Sequence, residues 1–266
     1  MRSIAIVTVV LSLTAPADAQ LAPLNAAGVS FAHVHLNVAE VDVHTALWVD
    51  HFGGTVVQKG PLTTVKVPGA LIVFTERAPT GGSQGSVMDH FGFKVPDLEA
   101  SLERWRSAGY EVQAEFAGVE GSANAYLLAP DGVRFELQED PALEGPAEMY
   151  HVHFFTSDFR ELMDWYADVF SATVTPRGTL ETTADVPGAN LSFSNARDER
   201  AATQGRAIDH IGFEVADIDA FAEMLAARGI ELEFAPRRID SIELTIAFFT
   251  DPSGVRIELT EGMAAY

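Results

Sequence analysis

DHFGFKV at residues 89–95 returns as DHIGFEV at residues 209–215, and this repeated stretch decides the organisation of the chain. Other segments recur in the same order: HVH at 33–35 and 151–153, VPGA at 67–70 and 186–189, and GVRFEL at 132–137 as GVRIEL at 254–259. Self-similarity at a nearly constant period is the mark of a duplicated structural unit. We therefore predict two copies of one domain, residues 30–139 and 149–261, joined by a Pro- and Glu-rich linker at 140–148.

Each copy reads as strands around two helices. Apolar alternation predicts a strand over 31–38, followed by a helix over about 41–52 and three short strands. The pattern then restarts with a strand over 88–95 and a second helix that begins at an N-cap aspartate, Asp97 in copy one and Asp217 in copy two. Each copy is thus βαβββ written twice, and the chain is predicted to be an α+β protein of four such units.

Composition limits the partners. Lys and Arg number 17 against 38 Asp and Glu, so the formal net charge is −21. This charge repels nucleic acid and anionic lipid, and we expect neither as a partner. With no cysteine, the chain has no disulfide and no thiolate ligand, and any metal must be held by His, Asp or Glu.

The N-terminal segment predicts export. Arg2 supplies a positive start, residues 4–13 an apolar core, and Ala17-Asp18-Ala19 a small-residue cleavage site. We expect residues 1–19 to be a signal peptide cleaved near Ala19, with the mature protein secreted or periplasmic. An N-terminal strand is the alternative interpretation.

Three chemically important positions recur in both copies: a His on the first strand, a His on the strand that opens the second half, and a Glu on the last strand. They are His33, His90 and Glu136 in copy one and His151, His210 and Glu258 in copy two. Two imidazoles and a carboxylate leave coordination positions open, a set that suits Fe(II), Mn(II), Zn(II), Ni(II) or Co(II). A buried hydrogen-bond network is the alternative. A site could form within a copy or between copies, because both pairings give the same set.

The remaining histidines and two aspartates are given ordinary roles. His44 and His51, on the first helix, are interpreted as surface residues. Asp89 and Asp209 adjoin the candidate ligands in sequence, so strand alternation predicts that they project to the opposite face and are structural.

The motifs H-x-x-L-x-V at 33–38, H-x-x-F-x-V at 90–95 and PDG-x-x-FEL at 130–137, with their counterparts in copy two, resemble the vicinal oxygen chelate superfamily. This group includes glyoxalase I, extradiol dioxygenases, epimerases and bleomycin-resistance proteins. The resemblance implies paired βαβββ modules that curl into half-barrels around a metal. It also implies that His33 and His151, rather than His35 and His153, are ligands.

The resemblance constrains the reaction less well. Glyoxalase-like members carry a further Glu ligand on the fourth strand, and here that position falls at about Val73 and Ser192. Tyr126 lies in a segment similar to the extradiol dioxygenase signature, whereas copy two has Phe248 there; a core aromatic is the alternative for Tyr126.

We therefore expect a divalent-metal enzyme, monomeric or homodimeric, whose small oxygenated substrate chelates the metal. The alternative is a metal-independent small-molecule binding protein of the bleomycin-resistance type.

Overall fold

A computed structural model describes residues 21–266, so the predicted signal peptide lies outside the described residues. Copy one contains β1 (Val29–Val38), α1 (Val41–Phe52), β2 (Thr55–Lys59), β3 (Leu62–Val67), β4 (Ala70–Glu76), β5 (Met88–Val95), α2 (Leu98–Ser107), β6 (Glu111–Ala117), β7 (Ala123–Ala129) and β8 (Val133–Glu139). Copy two contains β9 (Glu148–Thr156), α3 (Phe159–Phe170), β10 (Thr173–Val174), β11 (Thr183–Val186), β12 (Ala189–Asn195), β13 (Ile208–Val215), α4 (Ile218–Ala227), β14 (Arg237–Ile239), β15 (Leu244–Thr250) and β16 (Arg256–Glu261).

Two eight-stranded sheets organise these elements, and each sheet draws on both copies. The first sheet has the order β14-β15-β16-β13-β1-β4-β3-β2, and the second has the order β10-β11-β12-β9-β5-β8-β7-β6. In each sheet the first half of one copy is joined to the second half of the other by one antiparallel pair, β1 with β13 or β5 with β9. These junctions bring strands from the two copies side by side at the centre of each sheet.

The junction strands are interrupted by β-bulges. Along β13, Ile208 pairs with Leu36 and His210 pairs with His35, so Asp209 is an extra residue in the ladder. The equivalent extra residue on β5 is Asp89, which lies between the paired Met88 and His90. A bulge breaks the strict alternation of side chains and redirects the residues beside it.

The main apolar core lies on the helix-bearing faces of the sheets. Trp48 and Phe52 of α1 contact Phe93 of β5, with ring centroids 5.9 and 5.1 Å away. In copy two, Phe170 of α3 stacks on Phe213 of β13 at 3.9 Å. In each copy the first helix therefore packs against a strand from the second half of the same copy. That strand belongs to the other sheet, not to the sheet that contains the strand before the helix. The opposite faces of the junction strands are left free to carry polar side chains.

The predicted α+β fold of tandem βαβββ modules is confirmed. Asp97 and Asp217 cap α2 and α4 as expected, each accepting a 2.9 Å hydrogen bond from the backbone N–H three residues later. No helix within residues 21–266 has the length and apolar character needed to cross a membrane.

One of the two α1 histidines differs from the prediction. His44 is fully buried, and its Nε2 lies 3.1 Å from Oδ2 of Asp131 in the turn before β8. The helix pattern placed His44 on a surface because its carboxylate partner comes from a distant part of the chain. His51 is partly exposed and packs against the rings of Trp105 and Tyr110.

Asp251, in the turn between β15 and β16, leads to a prediction about stability. Burial raises its pKa to about 6, although it accepts hydrogen bonds from Tyr166 and from the backbone of Val255 and Ser253. The folded state therefore binds a proton more tightly than the unfolded chain, and this contribution to stability is lost as pH rises from about 4 through about 6. Between about pH 4 and about pH 6 we expect the free energy of unfolding of the natural protein to fall by roughly 3 kcal/mol relative to that of Asp251→Asn.

Urea unfolding of both proteins at a series of pH values between 4 and 8 measures this difference. A gap between the two unfolding free energies that stays constant with pH would show that the Asp251 carboxyl titrates normally.

Candidate metal centres

The first candidate centre lies at the junction of β1 and β13. It comprises His33, His35, His210 and Glu258, whose candidate ligand atoms all lie within 4.8 Å of one another. Glu258 Oε2 is 3.0 Å from His210 Nε2 and 3.1 Å from His33 Nε2. All four residues are buried or, for His35, nearly so. Two of the four come from each copy, so this centre forms between copies.

The second candidate centre repeats this arrangement at the junction of β5 and β9. It comprises His90, Glu136, His151 and His153, again with candidate ligand atoms within 4.8 Å of one another. Glu136 Oε2 lies 3.1 Å from His90 Nε2 and 3.6 Å from His151 Nε2. All six histidines and glutamates predicted as ligands thus fall in these two groups, three in each. In each group the His of the first strand comes from one copy, and the other His and the Glu come from the other copy.

Glycines make room for the first-strand imidazoles. Gly212 is directly opposite His33 in the ladder, and a Cβ on Gly212 would lie 1.9 Å from His33 Cε1. Gly92 has the same relation to His151, with a Cβ at 2.2 Å from Cε1. No side chain larger than hydrogen fits there without moving the ring. The repeated Gly of the DHxGF motif is therefore part of the site.

Several buried nitrogens at the two centres have no hydrogen-bond partner. They include both ring nitrogens of His33 and of His151, and Nδ1 of His35 and of His153. The 3.1 Å contact between His33 and Glu258 lacks the geometry of a hydrogen bond. Because an unsatisfied buried polar group costs about 1–3 kcal/mol, three unpartnered nitrogens in each group indicate that something else satisfies them. A cation fits this donor set of imidazoles and one carboxylate.

The pKa shifts favour the metal-binding form of most groups at the two centres, but not of all of them. Burial alone would raise the pKa of Glu258, but the hydrogen bond with His210 and charge attraction from His33 and His210 hold it well below its usual range. Burial lowers the pKa of His33, His35 and His153, and that of His151 to about 4. Burial alone would lower the pKa of His90 and His210, but hydrogen bonds with Asp89 and Glu136, and with Asp209 and Glu258, raise it. Each group therefore offers an ionised carboxylate and two imidazoles that favour the neutral form, while the third imidazole holds a proton more tightly and releases it when Nε2 binds metal.

The predicted orientation of Asp89 and Asp209 is wrong. Asp89 Oδ1 lies 2.9 Å from His90 Nδ1, and Asp209 Oδ1 lies 2.6 Å from His210 Nδ1. Alternation predicted the opposite face, but both aspartates are the extra residues of bulges and share a face with the neighbouring His. A carboxylate on Nδ1 holds that proton and leaves Nε2 facing the ligand group, as is usual around metal-binding histidines.

His35 and His153 were set aside in favour of their neighbours, and the structure adds them to the two groups. Each is hydrogen-bonded through Nε2, to Thr75 and Ser194 respectively, both at 2.8 Å, with Nδ1 unpartnered. In the β1–β4 register His35 pairs with Val73, and in the β9–β12 register His153 pairs with Ser192. The fourth-strand position without a carboxylate is thus next to an imidazole that supplies a fourth donor. The repeated HVH triplet was the signal for it.

The walls of the two centres differ. The first opens into a cavity of about 300 Å³ lined by His35, His210 and Phe248 among others. At the second, Tyr126 lies beside His90, with ring centroids 5.0 Å apart, under the Arg134 guanidinium at 3.7 Å. Burial and the charge of Glu136 raise the pKa of Tyr126, which keeps its hydroxyl protonated. Phe248 occupies the equivalent place at the first centre, with its ring centroid 5.1 Å from that of His210.

Comparison with known proteins identifies the family. A family model described as Glyoxalase/Bleomycin resistance protein/Dioxygenase superfamily matches residues 30–137 and again 149–259. Because the two matches cover most of the chain, the protein belongs to this superfamily, as the repeated motifs predicted. No curated protein sequence matches the chain.

Solved structures share the fold at low sequence identity. Glyoxalase I from Zea mays aligns with a TM-score of 0.68 and 19% identity over 89% of this chain and 94% of that one. A protein from Bacillus subtilis, described as a proposed dioxygenase, aligns with a TM-score of 0.67 and 12% identity over 87% of this chain and 84% of that one. Each alignment spans both copies of the module in this chain, so the tandem arrangement is shared. At this level of sequence identity the likeness concerns the fold alone.

Proposed function

We propose that the protein is a divalent-metal-dependent enzyme that acts on a small oxygenated organic substrate, which binds the metal through neighbouring oxygens. One observation carries this proposal: each junction between copies holds three imidazoles and one carboxylate, buried and within 4.8 Å of one another. The bound metal would supply Lewis acidity or a place for dioxygen. Fe(II), Mn(II), Zn(II), Ni(II) and Co(II) all suit this mixed donor set.

The protein side chains orient the site rather than perform most of the chemistry. Asp89 and Asp209 fix the ring orientation of the adjoining histidines through Nδ1. The phenol ring of Tyr126 lies beside His90, and its protonated hydroxyl can donate a hydrogen bond to a substrate at the second centre. The fourth-strand positions, Val73 and Ser192, offer no carboxylate base, which disfavours glyoxalase chemistry by the usual route.

An exported location is also proposed, on the basis of the N-terminal sequence alone. It places the substrate outside the cytosol and away from cytosolic thiol cofactors, which again favours reactions other than that of glyoxalase I.

Metal analysis of protein purified without oxygen, followed by activity assays, tests the function. We expect two divalent ions per chain after reconstitution. Oxygen uptake with catechols would identify an oxygenase, and rearrangement of hemithioacetals a lyase or isomerase. Tight binding of small molecules by protein that takes up no metal would contradict the proposal and support the bleomycin-resistance type instead.

A further inference from the structure

The cavity that opens from the first centre has positively charged walls in a strongly acidic protein. Its lining includes Arg77, Arg237 and Arg256 and only one carboxylate, that of Asp209. Asp209 is already engaged by His210, by Asn37 and by the backbone of Gly205. The chain as a whole has a net charge of −21, yet arginines outnumber carboxylates in the lining of this cavity. This local positive charge favours binding of an anion.

Two of the three arginines are available to a ligand. Arg256 is neutralised, since its guanidinium contacts Glu233 at 2.6 Å and Asp209 at 3.5 Å. Within residues 21–266, no carboxylate lies at salt-bridge distance from Arg77 or Arg237. The Arg237 guanidinium is 5.0 Å from the centre of the Phe234 ring, a contact that leaves its N–H donors unused. Free donors on both guanidinium groups can bind an oxyanion at two points.

The second centre provides an internal comparison. In strand register Thr75 corresponds to Ser194, so Arg77 corresponds to Ala196. Arg237 pairs with Ile246, and in copy one the equivalent pair is Phe116 with Asn124. The ligand groups are the same at both centres, but neither free arginine has a charged counterpart. The arginines are therefore a property of the first cavity and not of the repeated framework.

We propose that the first centre takes an anionic substrate: a small compound that chelates the metal at one end and carries a carboxylate or phosphonate, which Arg77 and Arg237 bind, at the other. This inference rests on the proposed function and names the substrate class of one centre. The cavity of about 300 Å³ lies at the lower end of the range for small-molecule sites. Its apolar wall, Phe234, Ile246 and Phe248, suits a short carbon skeleton between the two polar ends.

The test compares matched probes on Co(II)-loaded protein by calorimetric titration: catechol, 3,4-dihydroxybenzoate and (3,4-dihydroxyphenyl)phosphonate. We expect at least one anionic probe to bind about tenfold more tightly than catechol, and the tighter of the two identifies the preferred anion. In the Arg77→Gln, Arg237→Gln double variant this preference disappears while catechol affinity stays the same. Arg238→Gln is the control, because Arg238 is the neighbour of Arg237, does not line the cavity and pairs with Asp240.

Equal binding of all three probes, or a preference that survives in the double variant, overturns the inference. Co(II) uptake, followed by visible absorption, separates this failure from that of the proposed function, because protein that binds no Co(II) contradicts only the latter. In that event benzoate and benzyl alcohol are titrated into metal-free protein. A preference for benzoate that the double variant loses supports the anion site, and its absence overturns it.

Discussion

Glu258→Gln is expected to reduce metal binding from two ions per chain to one, with a loss of more than about 100-fold in affinity at the first centre. Glu258 is the single carboxylate of its group, and its Oε2 faces the Nε2 atoms of both His33 and His210. Gln keeps the shape of the side chain but removes the negative charge that attracts the cation. Equilibrium dialysis with metal analysis measures the stoichiometry and affinity.

Glu136→Gln provides the same test at the second centre, and the double variant should bind no metal tightly. Glu223→Gln, at an exposed position on α4, is the matched control and should keep two ions. Two ions bound tightly by the double variant would show that the metal sites lie elsewhere in the chain. Circular dichroism of the metal-free variants checks that each still folds.

Gly212→Ala is expected to abolish metal binding at the first centre and to destabilise the fold by about 1–3 kcal/mol. The added methyl carbon would lie 1.9, 2.1 and 2.6 Å from Cε1, Nδ1 and Nε2 of His33. A rigid imidazole cannot bend away from such a contact, so the whole ring or the β1–β13 junction must move. Thermal unfolding and metal titration of the same preparation measure the two effects.

Gly92→Ala should act in the same way on His151 and the second centre. Gly145→Ala is the control, since its nearest neighbouring atom would be 3.8 Å away, an ordinary contact. If Gly212→Ala binds two ions with unchanged affinity, His33 is not a ligand, whatever the effect on stability.

The sequence predicted the fold well because duplication presents each signal twice. The helix caps Asp97 and Asp217 are local features, and their hydrogen bonds span only three residues. The six residues predicted as ligands could be picked out because the same residue types recur at matched strand positions, and the structure brings them together in two groups of three. Which half of each copy pairs with which could not be predicted, because either arrangement brings two His and one Glu together.

The remaining features depend on register and on distant partners. Asp89 and Asp209 were placed on the wrong face because a bulge in one strand depends on its pairing with another. The burial of His44 depends on Asp131, which is 87 residues away in the chain. The arginine-lined cavity was also beyond prediction, since Arg77 and Arg237 belong to different copies and net charge says nothing about a local surplus.

The exchange of half-modules between the sheets also bears on how the two centres can change over evolutionary time. Each copy supplies two of the four residues in each candidate centre. Loss of these residues from one copy would therefore disrupt both centres and not just one. Wall residues are under no such constraint, because Arg77 and Arg237 line the first cavity whereas the matched strand positions in the other half-modules hold Ala196 and Phe116. The tandem architecture thus couples the two candidate metal centres, so that both are kept or lost together. The residues around each centre can still diverge, so that the two centres come to bind different small molecules.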